Sequence, residues 1–277
     1  MSLEHQELLG IARHEREALG RTIQYTPPEA WEAASPVEGW RNRDVVAQLA
    51  ATEVAAAAVL GGEEPAEVEE YLKTEAGRSD PTVDGFNRFA VARRADAPLF
   101  QVIREWGAAA DLVLGRASLV DEERWKGHRV PWFAGEIPVR YLVQSRVAEW
   151  WSHGGDIRTG AGLEPRQEHW PIYALNDLAI RTLPWALGLA GLSFRGRSVL
   201  VELEGAGGGR WHHGLGPREV PGEGRRPDAT IGGRGYPFAM VATRRASADE
   251  YVEDGTLVVG GDEELALTVL RHLRVFG

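Results

Sequence analysis

Glu149 and His153 stand four residues apart in a stretch rich in aliphatic and aromatic side chains. On a helix that spacing puts both on one face, about 6 Å apart along the axis. A carboxylate and an imidazole so placed can supply two ligands to one divalent metal, or act together as an acid–base pair. A surface hydrogen bond between the two is the plain structural alternative. Trp150 and Trp151 lie between them and predict that much of this helix is buried, and a buried carboxylate must be paired or coordinated. Asp156, three residues after His153, is expected just past the helix end, where it would hold the imidazole in one tautomer. Arg146, one turn before Glu149, is an alternative partner that would neutralise the carboxylate without a metal.

The rest of the chain sets limits on this chemistry. Its 277 residues carry 41 acidic and 31 basic side chains, a formal charge of −10. That balance disfavours a general nucleic-acid binder and disfavours docking on anionic membranes. With 43% hydrophobic and 26% charged residues, it reads as a globular chain of one large domain or two modest ones. There is no cysteine, which excludes disulfides, thiolate metal sites and an internal thiol nucleophile. The longest apolar stretches, Val54 to Leu60 and Leu183 to Leu192, fall far short of the roughly 20 residues a membrane span needs. Met1-Ser2-Leu3-Glu4-His5 is polar and acidic, with no signal-peptide pattern, so a cytoplasmic protein is expected. No Gly-x-Ser-x-Gly elbow supports a hydrolase of that class. His212 and His213 are neighbours in a predicted strand and face opposite sides, which predicts a surface pair and not a chelate.

The elements that must position Glu149 and His153 read as four long helices. The first carries Leu8, Ala12, Leu19 and Ile23 at helical spacing and stops at Thr26-Pro27-Pro28. The second is expected to be capped by Asn42, with Asp44 in its first turn, and to run to Gly61-Gly62. Glu63 to Asp80 is acidic and poorly periodic and reads as a loop with one helical turn. A third helix starts near Asp84 and reaches about Leu119, with Pro98 either a kink or the start of a fresh helix. The fourth begins near Pro138 and is expected to end at Gly154-Gly155. Four long helices with one extended connection predict a four-helix bundle.

Gly162-Leu163-Glu164-Pro165 looks like a linker, placing the boundary between residues 1–165 and 166–277. The second part reads as a small α+β domain. It has a helix from Ile172 to Leu183, a strand over Ser198–Glu204 and its hairpin partner near Gly209–His213. A short helix over Tyr236–Arg244, a strand over Thr256–Gly260 and a closing helix over Asp262–Leu273 follow. The glycines from Gly205 to Gly209 fit a hairpin turn better than a phosphate loop.

Two segments resemble a known family. Gly39-Trp40-Arg41-Asn42-Arg43-Asp44-Val45-Val46-Ala47-Gln48-Leu49-Ala50 is similar to the second-helix signature of DinB-like proteins, and more narrowly of the mycothiol-dependent maleylpyruvate isomerases. Arg146-Val147-Ala148-Glu149-Trp150-Trp151-Ser152-His153-Gly154-Gly155-Asp156-Ile157 is similar to that family's Arg-x-x-Glu-x-x-x-His-Gly-x-Asp segment. Pro227-Asp228-Ala229-Thr230-Ile231, Thr243-Arg244-Arg245 and Val258-Val259-Gly260-Gly261-Asp262 resemble its sterol-carrier-like C-terminal domain.

The resemblance implies a DinB-like four-helix bundle followed by a small C-terminal α+β domain, with a ligand cleft facing both. It implies Zn2+ held by a second-helix histidine together with Glu149 and His153. This chain has Gln48 at the histidine's position, and an amide oxygen is a poor zinc ligand beside imidazole. Three readings follow. Gln48 is a weak third ligand; or His5, His14 or His128 fills the gap; or Gln48 hydrogen-bonds Glu149 or a substrate at a site without metal. The implied activity is that of an isomerase or thiol transferase acting through mycothiol or another low-molecular-weight thiol on a small anionic electrophile. Arg244, with Arg245 as alternative, is implied as a substrate-carboxylate anchor, and Arg158 as a residue at the cleft mouth. A metal-independent isomerase, cyclase or lyase using the Glu149–His153 pair, and a non-catalytic small-molecule binder, are the alternatives.

Overall fold

The computed structural model describes residues 3–133, 135–222 and 224–275. Leu3–Arg166 form one compact unit, and the described residues from Gln167 onward form a second.

The first unit is helical. Its long helices are α1 (His5–Tyr25) and α2 (Asn42–Leu60), followed by the short α3 (Ala66–Lys73) and α4 (Glu75–Ser79). Then come α5 (Val83–Arg94), α6 (Leu99–Ser118) and α7 (Glu122–Gly127), a hairpin of β1 (Arg129–Trp132) and β2 (Gly135–Pro138), and α8 (Val139–Gly160). Helices α1, α2, α6 and α8 make the expected bundle: α2 packs on α6 and α8, and α1 closes the ring against both of those helices. Leu8, Ala12, Leu19 and Ile23 of α1 are all buried, as their spacing predicts. Helix α2 is buried on nearly every side. Its alanines at 47, 50, 51, 55, 56 and 57 are small enough for helices to approach closely on several faces.

Several local expectations need correction. Asn42 does not cap α2. Arg41 is the cap residue, its backbone N–H donating to Asp44 at 2.9 Å, while Asn42 turns its amide to Ala30 O at 2.9 Å. Glu63–Asp80 is not a loop with one turn but the two helices α3 and α4. Tyr71 anchors them in a small cluster with Phe86, Ala90 and Ala51, and Thr74 caps α4 by accepting the Gly77 N–H at 2.9 Å. So few of its side chains point inward that the apolar period is faint. Pro98 separates two helices, α5 and α6. Gly154-Gly155 does not end α8, which continues to Gly160, because Gly154 packs against Leu19 of α1 and burial outweighs its weak helix propensity. The β1–β2 hairpin lies where a plain connection was expected; Val130 and Ile137 pair across it and are both buried. Arg166 belongs to this unit, its guanidinium bonded to the wholly buried Glu15 of α1 at 2.6 and 3.1 Å.

The second unit is α+β, as expected. It runs α9 (His169–Arg181), α10 (Leu183–Leu189), β3 (Ser198–Glu204), β4 (Gly209–Gly214), β5 (Ala229–Arg234), α11 (Gly235–Ala242), α12 (Ala248–Glu253), β6 (Leu257–Gly261) and α13 (Glu263–His272). Pro184 starts α10 instead of merely interrupting α9. The sheet order is β4-β3-β5-β6, with β3 and β5 parallel and the outer pairs antiparallel. Strand β5 escaped the sequence reading because Gly232 and Gly233 interrupt its apolar alternation. The glycine-rich turn is a hairpin turn, and it has a packing reason. A Cβ on Gly207 would lie 2.1 Å from Ile172 of α9, and Asn176 of α9 donates to the carbonyls of Gly207 and Gly235 at 3.1 and 3.0 Å. Asp228 accepts from Ser198 N and Arg197 Nε, both at 2.8 Å, and Arg197 reaches Asp262, the cap of α13, at 2.7 Å. The Pro227-Asp228 and Gly261-Asp262 segments are therefore fastenings between strands and the closing helix.

Candidate active site on helices α2 and α8

Gln48, Glu149, His153 and Asp156 meet in the helical unit. Gln48 Nε2 donates to Glu149 Oε2 at 3.2 Å, and the same oxygen lies 3.5 Å from His153 Nε2. His153 Nδ1 is 2.9 Å from Asp156 Oδ2. An ionised carboxylate only accepts, so Nδ1 carries the proton and Asp156 fixes the ring. Asp156 lies inside α8 and not beyond its end, because the helix runs on through the glycines. Gln48, Glu149 and Asp156 are buried, while His153 retains 14% of its side-chain surface.

The electrostatics follow from this packing. Burial alone would push Glu149 up and His153 down. The His153 hydrogen bond and charge, the charge of Arg146 and the Gln48 amide overcome burial at Glu149 and hold it at about 2. Asp156 and Glu149 together hold His153 above its ordinary value. The imidazole thus sits between two carboxylates that favour its cation.

One contributor was not foreseen. Glu53 of α2 has no exposed surface and accepts from Trp150 Nε1 at 2.9 Å. Arg146 turns to Glu53 at 3.4 Å and stacks 5.0 Å over Trp132, instead of pairing directly with Glu149. Burial pushes Glu53 up to about 7 despite Arg146 and Trp150, and the charge of Glu149 adds to the rise. The available signal was a lone carboxylate in the alanine-rich body of α2, beyond the charged first turn of Arg43 and Asp44.

The other candidates lie elsewhere. Arg158, further along α8, donates to Glu164 O at 2.6 Å. His5 bonds Ala117 O at 3.1 Å and stacks on Trp125, while His14 and His128 are exposed. His212 bonds Ser198 Oγ at 3.0 Å and His213 bonds Gly214 O at 2.6 Å; both are half-buried.

Arg244 belongs to the second unit and lies beyond α11, not within it. It has φ 60°, in the left-handed region. Its N–H bonds Val241 O and that of Arg245 bonds Met240 O, the paired closure that usually places glycine where Arg244 stands. The exposed Arg244 lines a cavity of about 310 Å³ together with Arg271, His272 and Arg274. Arg245 is tied to Thr243 O at 2.7 Å.

The donor set does not match zinc. Glu149 and His153 are ligands of the right kind, but Gln48 presents N–H groups to Glu149, and an amide N–H cannot bind a cation. Among the described residues, no group of three or more His, Cys, Asp or Glu side chains is placed to hold a metal ion. Among the described residues, too, no helix is long and apolar enough to cross a membrane.

Comparison with known proteins places the chain in a family. The chain is 24% identical over 204 residues to an uncharacterized protein of Mycobacterium tuberculosis, found in strains CDC 1551 / Oshkosh and ATCC 25618 / H37Rv. The match covers 73% of this chain and 74% of that protein. It shares its fold with the crystal structure of a mycothiol-dependent maleylpyruvate isomerase, with a TM-score of 0.59 and 15% identity over 89% of this chain and 91% of that one. A histidine-to-alanine mutant of that isomerase superposes with a TM-score of 0.58, again at 15% identity, over 88% of this chain and 91% of the mutant's. The mycothiol maleylpyruvate isomerase N-terminal domain matches residues 12–158, just over half the chain and including Gln48, Glu149, His153 and Asp156, and the protein belongs to that family.

Proposed function

We propose that the protein is a thiol-dependent enzyme of the maleylpyruvate isomerase type, acting on a small anionic electrophile. The observation that carries this reading is the imidazole of His153 fixed by Asp156 and facing Glu149, inside the domain that the family match covers. The chain has no cysteine, so the sulfur nucleophile comes from a small thiol such as mycothiol.

In this mechanism neutral His153 takes the S–H proton at Nε2, and Asp156 and Glu149 hold the resulting imidazolium. The thiolate adds to an unsaturated carbon conjugated with a carbonyl. The π pair moves to the carbonyl oxygen, and the former double bond can rotate. Collapse of the enolate expels the thiolate with the isomerised double bond, and His153 returns the proton to sulfur. No net oxidation occurs. With an electrophile that carries a leaving group, the same thiolate would remain attached, which is the transferase variant. Arg244 is proposed as a carboxylate-binding residue of the second unit, where its exposed guanidinium lines a cavity beside Arg274 and the Arg271–Asp249 ion pair.

The test is isomerisation of maleylpyruvate by the full-length protein with and without mycothiol, together with coupling of mycothiol to a halogenated carboxylic acid. Mycothiol-dependent turnover should fall by about 100-fold or more in His153→Ala, within the range for loss of a general acid–base group. Turnover that ignores the thiol, or that survives intact in both Glu149→Ala and His153→Ala, would sink the reading.

A further inference from the structure

Gln48 is 2% exposed, and its two amide atoms are in different situations. Nε2 is used, donating to Glu149 Oε2 at 3.2 Å. Oε1 is buried with no partner. Reversing the amide would turn an oxygen toward a carboxylate oxygen, which is repulsive, so the hydrogen-bond pattern fixes which atom faces Glu149.

Two consequences follow. The Gln48 N–H occupies an oxygen of Glu149 that a metal would need, and a cation there would meet the positive end of the amide dipole. A buried acceptor with nothing donating to it is costly, so Oε1 marks a place where a bound molecule brings an N–H, O–H or S–H group. None of the three further histidines of the helical unit makes good the missing ligand: His5 is engaged by Ala117 and Trp125, and His14 and His128 are on the surface.

We infer that this chain binds its thiol or substrate without zinc, Gln48 having replaced a metal ligand by a bridging amide that fixes Glu149 with its N–H and receives a ligand donor at Oε1. This rests on the proposed function only for the location of the site. The metal question is decided separately.

The experiment is a zinc titration of the full-length protein, prepared without an affinity tag, against a chromophoric chelator, with metal content measured by elemental mass spectrometry. Wild type is compared with Gln48→His and His153→Ala. Wild type should bind zinc at least about 100-fold more weakly than Gln48→His, since even changes outside the ligand set alter affinity by 10–100-fold. If Gln48→His does not fold, judged by circular dichroism, Gln48→Glu supplies an anionic third ligand in its place. One equivalent of zinc on wild type, held as tightly as on the variant and lost in His153→Ala, would overturn the inference. Mycothiol is then titrated calorimetrically with and without chelator. Binding that is indifferent to the chelator, and weaker in Gln48→Leu, supports the amide's role; binding that vanishes with chelator and returns with zinc overturns it. A wild type that binds no mycothiol under either condition counts against the proposed function, while the zinc titration still decides whether the site takes metal.

Discussion

Trp150 Nε1 donates to Glu53 Oε1 at 2.9 Å, joining α8 to α2 through two residues with no exposed surface. Trp150 is the neighbour of Glu149, and Arg146, which stands beside Glu53, also stabilises the Glu149 charge. The buried pair therefore adjoins the candidate site and shares Arg146 with it. Its carboxylate is raised to about 7 chiefly by burial. A carboxyl whose folded value lies above its unfolded one binds more protons when folded, so it subtracts stability as pH rises from about 4.5 to about 7. Replacing it by the neutral isostere in Glu53→Gln should flatten this part of the stability curve. The variant should match wild type near pH 4.5 and exceed it near pH 8 in chemical denaturation. Parallel curves for the two proteins would refute the assignment.

Asp156 should act through His153. It is a leading cause of the raised value of that imidazole, outweighing burial together with Glu149. The proposed mechanism needs neutral His153, so thiol-dependent activity should climb as pH rises through this raised value. Asp156→Asn removes a charge and the preference for one tautomer. The climb should move to lower pH while maximal kcat drops. The stability effect has the opposite sense: a raised imidazole contributes stability that is complete below about 6.5 and is lost as pH rises through the folded value. A pH–rate profile for Asp156→Asn that overlays wild type would exclude the positioning role.

Arg244 offers a way to separate function from stability. A non-glycine residue at φ 60° carries a backbone cost of about 1–2 kcal/mol. Arg244→Gly should relieve most of that strain, offset in part by greater freedom of the unfolded chain, for a net gain of up to about 1 kcal/mol. If the guanidinium anchors a substrate carboxylate, the same variant should raise KM. A variant that is more stable with unchanged kinetics would leave Arg244 as a helix-end residue only.

The legible part of the site was the part written within one helix. Glu149, His153 and Asp156 are related by spacings of four and three, and helical geometry makes such neighbours visible in a linear sequence. Gln48 came from likeness to a family signature, not from spacing. The role of Glu53 was hidden because its partners, Arg146 and Trp150, are 93 and 97 residues away. The same loss of locality explains the misplaced end of α8: glycine pairs signal a stop, but the contact between Gly154 and Leu19 belongs to the packing of α8 on α1. Helices α3 and α4 were missed because a helix that buries little more than Tyr71 leaves almost no apolar period.

The end of α8 also depends on a contact that spacing alone could not reveal. A Cβ on Gly160 would lie 2.4 Å from Asn42 Oδ1 at the start of α2. Asn42 has no exposed surface, and its amide is held by Ala30 O, so it cannot swing aside into solvent. Replacing an ordinary exposed helical glycine by alanine would stabilise the chain by about 1 kcal/mol. Here Gly160→Ala should instead destabilise it by about 1–3 kcal/mol, the usual range for overpacking. Asn42→Ala alone should also destabilise, through loss of the bond to Ala30. In the double variant the new methyl group meets only the space the amide left, so the two losses should not add. A double-mutant cycle in chemical denaturation measures this coupling. Strictly additive losses would show that Gly160 and Asn42 do not touch, and that the junction of α2 and α8 is packed differently.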